Sequence, residues 1–180
     1  MKNARAFTLI ELLIVATITV ILCGIAIPYF VTPDEHFLQY ELDKISVLLL
    51  YLQQRAIASH ETQALHFLPS QNSYGYDRNQ QHVTFALHAD LQFGAHPNAL
   101  GPPGDPKNPI TAPSTFPQHT DGSFYAKLFP NGKISAGTLY LKSKRSAIMG
   151  ALTCTVSQVS YIRRYLYQAG QWHLCQTSIC

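Results

Sequence analysis

Hydrophobic and polar positions divide the chain into three patterns. From Phe7 to Phe30, FTLIELLIVATITVILCGIAIPYF, the residues are apolar almost throughout, and none between Leu12 and Pro33 is charged. About 20 such residues suffice for a helix that crosses a bilayer. The short leader ahead of it, MKNARA, carries Lys2 and Arg5 and predicts an end held in the cytoplasm. From Leu38 the pattern changes: Leu42, Ile45, Leu49, Leu52 and Ala56 recur at three- and four-residue steps, with Glu41, Asp43, Lys44, Gln53, Gln54 and Arg55 off that stripe. This predicts an amphipathic helix that ends near His60 and whose apolar face is covered by a sheet.

Beyond His60 the period shortens to that of strands. Ala64 to Phe67, Tyr74 to Asp77 and His82 to Leu87 form a first set; Phe124 to Phe129, Thr138 to Leu141, Leu152 to Gln158, Tyr161 to Tyr167 and Trp172 to Cys175 form a second. Pro130-Asn131-Gly132-Lys133 and Gln168-Ala169-Gly170-Gln171 are the turn signals between members of the second set. Between the two sets, 94–118 holds prolines at 97, 102, 103, 106, 109, 113 and 117, too many missing donors for a regular element, and reads as a long surface loop that contacts a partner or is disordered. Pro28 is expected to kink the first helix, and Thr32-Pro33-Asp34-Glu35 has the form of a capping box that restarts it. The fold class is therefore α+β: a long N-terminal, partly transmembrane helix packed on a C-terminal antiparallel β-sheet domain. Its divisions are a basic leader at 1–6, an apolar helix at 7–30, an amphipathic continuation at 31–60 and a β-domain at 61–180.

Charge changes this picture little. The formal net charge is +3, of which Lys2 and Arg5 supply two, so the basic pI overstates any attraction to nucleic acid. Of the four cysteines, Cys23 sits in the apolar run as a small apolar residue. Cys154, Cys175 and Cys180 lie outside it, and in an oxidising compartment one pair should form; all three pairings are open, with a slight preference for one that includes Cys175.

Candidate chemistry is sparse. Histidines at 36, 60, 66, 82, 88, 96, 119 and 173 lack the spacing that sets two ligands on one helical face, and no metal site or cofactor is expected. No nucleophile elbow, P-loop or dinucleotide fingerprint occurs, and the chain is not expected to be an enzyme. One basic cluster stands out: Lys142, Lys144 and Arg145 follow one strand, while Arg163 and Arg164 lie in another among Tyr161, Tyr165 and Tyr167. Cations beside aromatic faces suit phosphate contact and base stacking. Adjacent residues of a strand point to opposite faces, however, so only one of the two arginines joins any one patch, and a solvated sheet face is the plainer reading.

The remaining oddity is Glu11, a carboxylate at the head of the apolar run, costly to leave unpaired in lipid. Phe7-Thr8-Leu9-Ile10-Glu11-Leu12-Leu13 after a short basic leader, with Pro28 near the far end, resembles the type IV pilin-like proteins: pilins, minor pilins and the pseudopilins of type II secretion. The resemblance implies that a prepilin peptidase cuts between Ala6 and Phe7 and methylates the new terminus; Ala6 stands where the family favours glycine. It further implies that Glu11 pairs with the Phe7 amine of a neighbouring subunit and sets the register of assembly. FYAKLFPNGKISAGTLYLKS is similar to the strand-turn-strand of the GspH/FimT branch. The implied protein is a minor pilin or minor pseudopilin, single-pass in the bacterial inner membrane with a periplasmic domain, and extracted into a pilus or pseudopilus. Its implied partners are other major and minor pilins or pseudopilins, and secreted cargo or DNA. The alternatives are a DNA-binding minor pilin of DNA uptake and a secreted enzyme with an atypical signal peptide.

Overall fold

The computed structural model describes residues 8–31, 33–78, 81–104, 106–155 and 161–175, and for 23–33 the backbone alone. The chain divides into two compact units, Met1–Pro33 and Asp34–Cys180. The first holds helix α1, Leu9–Val31, which passes through Pro28 without ending. Helix α2, Pro33–Ser59, opens with proline at its first position, where its missing N–H costs nothing. Thr32, the expected cap, lies outside the described residues.

In the second unit α2 packs across two antiparallel sheets. One has the order β3-β2-β1-β7, formed by β1 (Gln63–Leu68), β2 (Ser73–Arg78), β3 (Gln81–Ala86) and β7 (Phe124–Leu128). The other has the order β11-β10-β9-β8-β4, formed by β4 (Leu91–Phe93), β8 (Gly137–Ser143), β9 (Met149–Thr155), β10 (Tyr161–Gln168) and β11 (Gln171–Cys175). The architecture is α+β, and each strand expected from the sequence has its counterpart. The far end of the run expected to reach Gln158 lies outside the described residues. β4, at three residues, is too short for its alternation to stand out.

The helical stripe Leu38, Leu42, Ile45, Leu49, Leu52 and Ala56 is at most 1% exposed. It meets Leu65 and Phe67 of one sheet and Leu139, Leu141, Leu152 and Leu166 of the other in one core. Gly150 permits the close approach: a Cβ there would stand 2.6 Å from Cδ1 of Leu42. Polar ties fix the same interface. Ser143 Oγ donates to Asp34 Oδ2 at 2.9 Å, and Gln168 Nε2 donates to Glu35 Oε2 at 2.9 Å. Glu35 spends its other oxygen on Gln39. Gln53 reaches the carbonyl of Gly132 in the Pro130–Lys133 turn at 2.5 Å, and Gly132 supplies the positive φ that the turn needs.

The proline-rich stretch 94–118 is held by short pairings. β5 (Leu100–Gly101) pairs with β6 (Asn108–Pro109), and Ser114 bridges Leu139. Phe116 is buried and stacks on Phe67 at 5.8 Å between centroids. Trp172 Nε1 donates to the Leu100 carbonyl at 2.7 Å. An apolar anchor and carbonyl acceptors, which proline keeps, let the segment pack without a regular ladder.

Candidate assembly surface

Helix α1 begins with a reciprocal cap. The backbone N–H and the hydroxyl of Thr8 both donate to Glu11 Oε2 at 2.9 Å, while Glu11 N–H donates to Thr8 Oγ1 at 3.3 Å. This is the capping box of Thr-x-x-Glu form, and its signal stands in the sequence as Thr8-Leu9-Ile10-Glu11. Glu11, expected from the sequence to pair in another subunit, thus also has a partner inside its own helix. Ala6 and Phe7, the expected processing site, lie outside the described residues.

The other polar side chains of 8–22 are satisfied in the same way. Thr17 donates to the Ile14 carbonyl and Thr19 to the Val15 carbonyl, each at 2.8 Å. The helix thus presents hydroxyls already bonded to its own backbone. Its apolar side chains are uncovered: Leu9 is 83% exposed and Val20 71%. Among the described residues no helix is long and apolar enough to cross a membrane. The described side chains of α1 stop at residue 22, short of the about 20 apolar residues that a span needs.

A second uncovered face runs along α2. Tyr40, Val47, Leu50, Tyr51 and Ile57 are 40% to 64% exposed on the flanks away from the buried stripe. The period of the buried stripe leaves Val47, Leu50 and Tyr51 on the other flanks, apolar positions that the sequence alone does not single out.

The five basic candidates do not form one patch. Register alternation puts Arg164 on the face of β10 that meets α2, where it pairs with Asp43. Arg163 lies on the outer face, its guanidinium 5.9 Å from the ring centroid of Tyr161. Lys142 shares that outer face from β8. Lys144 donates to the Ala89 carbonyl at 2.6 Å, and Arg145 pairs with Asp90 at 2.9 Å. Two of the five cations thus already hold a carboxylate.

The cysteines separate as well. Cys154 is a free thiol, 2% exposed in the core, and burial pushes its pKa up to about 12. Cys175 is disulfide-bonded; Cys180 lies outside the described residues. A Cys154–Cys175 bond is ruled out by topology. β10 lies between their strands, Cys154 standing opposite Ile162 and Cys175 opposite Arg164, and two strand spacings of about 4.8 Å exceed the reach of a disulfide.

Three of the scattered histidines converge, which their sequence separation conceals. His66 on β1, His82 on β3 and His119 of the loop before β7 gather with Asp77 and Asp121 on the outer face of the first sheet. His82 Nδ1 lies 2.7 Å from Asp77 Oδ1. The ring of His66 is 6.3 Å from that of His82 and 6.0 Å from that of His119. Burial lowers the His66 pKa, and His119 and His82 lower it further, against the attraction of Asp77 and Asp121. Hydrogen bonds from Ser123 hold the Asp121 carboxyl below its ordinary range. Among the described residues no group of three such side chains could hold a metal ion.

Residues 1–27 match the model of the prokaryotic N-terminal methylation motif. No curated protein and no solved structure matches the chain.

Proposed function

We propose, for a chain whose methylation motif supports a type IV pilin-like prepilin, that its work is docking. It is a minor pilin or minor pseudopilin of GspH/FimT type, cut before Phe7 by prepilin peptidase and anchored in the inner membrane with its β-domain in the periplasm. From there it is drawn into a pilus or pseudopilus. The observation that carries this reading is α1: apolar side chains exposed along 8–22, every polar one bonded within the helix, and an uncharged sequence that continues to Val31. From Leu12 to Val31 at 1.5 Å per residue such a helix extends about 30 Å, the thickness of the hydrocarbon core.

A helix of this kind has two stable environments, lipid and the apolar centre of a helical filament, and transfer between them keeps its side chains out of water. Glu11 then meets the Phe7 amine of a neighbour, a pairing that fixes axial register more than it adds stability. The exposed flank of α2 offers the periplasmic domain a docking surface of its own. The reading assigns the chain no catalysis and no cofactor.

The test is the fate of the full chain in cells. The tagged protein is expected in the filament or pseudopilus fraction with other pilin-like subunits, and Glu11→Ala is expected to exclude it. Release as a free periplasmic or extracellular protein overturns the reading. A DNA-binding tip subunit is the second reading, favoured by Arg163 among Tyr161 and Tyr165. It requires salt-dependent DNA binding that Arg163→Ala and Lys144→Ala weaken, and absence of binding at low salt removes it.

A further inference from the structure

The sheet that runs from β7 to β3 stops at β3, and this edge carries few of the devices by which sheets discourage further pairing. Its sequence, Gln81-His82-Val83-Thr84-Phe85-Ala86, contains no proline and no lysine. Among the described residues no second strand or isolated bridge meets its outer side. At the opposite edge, by contrast, β7 is met by bridges from Gln118 and Ile134.

The inner face of the same strand is also unfinished. Val83 and Phe85 are half-buried, and a groove of about 440 Å³ runs between Phe85 and Tyr76 on the sheet and Val47 and Tyr51 on α2. Val47 is 64% exposed and Tyr51 45%. One more strand hydrogen-bonded to β3 would set its inward side chains about 5 Å from Val83 and Phe85, over that groove. A single extended segment therefore meets both deficits: its backbone satisfies the edge and every second side chain fills the trough.

Charge selects among such segments. Lys44 Nζ lies 5.8 Å from the ring centroids of both Tyr74 and Phe85, and exposed Arg78 lines the same groove. Lys44 has a carboxylate at 3.5 Å in Glu41, which also accepts the Tyr74 hydroxyl, so the net positive charge of the rim is supplied by Arg78. A second copy of β3 would bring no acidic residue to it. We infer that β3 and this groove receive an extended segment of a different subunit, with large apolar side chains at alternate positions and an acidic one facing Lys44 and Arg78. The inference rests on the proposed reading of the chain as a filament subunit and adds the partner's chemistry to it.

Hydrogen exchange of the full chain, in micelles and in the assembled filament, reads the backbone pairing directly. A photo-crosslinker at Thr84, on the exposed side of β3, identifies the partner segment. The alternate amides of residues 81–86 that point away from β2 are expected to slow by at least about tenfold on assembly, and the crosslink is expected to map to an acidic, apolar-alternating segment of another subunit. Thr84→Lys is expected to reverse the protection while leaving thermal unfolding of the isolated chain unchanged. Equal exchange in both states, or a crosslink only to a second copy, overturns the inference while leaving filament entry intact. A chain missing from the filament fraction overturns the parent reading as well.

Discussion

Glu11 has two partners to account for, Thr8 within the helix and the proposed Phe7 amine of a neighbour, and one substitution separates them. Glutamine retains the side-chain oxygen that reaches back to Thr8, and Gln is the accepted alternative in a capping box. Glu11→Gln therefore keeps the helix start and removes only the charge. If the charge pairs with an amine in apolar surroundings, its loss leaves that amine alone, a cost of about 3–5 kcal/mol, or about two to four orders of magnitude in subunit incorporation. Thr8→Val does the reverse: it deletes the 2.9 Å hydroxyl bond and the 3.3 Å acceptor while the backbone bond to Oε2 remains. That loss is about 1 kcal/mol, roughly fivefold. The assay is the quantity of each variant in the sheared filament fraction relative to total chain, with helix content in micelles measured by circular dichroism. Glu11→Gln entering filaments as well as the unaltered chain refutes the pairing, and a Thr8→Val defect as deep as that of Glu11→Gln shows that the cap is what matters.

Three further outcomes follow from the second unit. Gly150→Ala forces a Cβ to within 2.6 Å of Leu42 and should lower stability by about 1–3 kcal/mol, read as a shift of the urea midpoint through the fluorescence of Trp172; an unchanged midpoint contradicts the close packing of helix and sheet. Because the folded chain holds His66 below its ordinary value of 6.5, the unfolded chain takes up that proton first. Stability is then fully present above about 6.5 and falls as pH drops from there toward the lowered value, and His66→Gln should flatten that slope. Cys154, buried and with its pKa raised to about 12, should resist maleimide in the folded chain and react once urea exposes it; labelling of the native protein contradicts its place in the core.

The elements that were legible in the sequence are those whose burial is one-sided. The stripe from Leu38 to Ala56 and the alternating strands each bury one face, so their periods report the fold. The segment 94–118 was harder to read, because its hold on the sheet comes from one aromatic, Phe116, and from carbonyls that any residue supplies. At the candidate site, Glu11 was conspicuous because a charge in an apolar run is rare, while its bond to Thr8 passed unnoticed beside the larger question of lipid. The cluster of His66, His82 and His119 could not be seen, since strand pairing and a loop bring together residues far apart in the chain. The sequence leaves the Cys154–Cys175 pairing open, because nothing in it shows that β10 lies between the two strands.

The account turns on what the N-terminus becomes in the cell. Mass spectrometry of the N-terminal peptide from the membrane-extracted full chain tests it most directly. A peptide that begins at methylated Phe7 is the result predicted. A chain that keeps its leader, or one that begins beyond Tyr29, contradicts it.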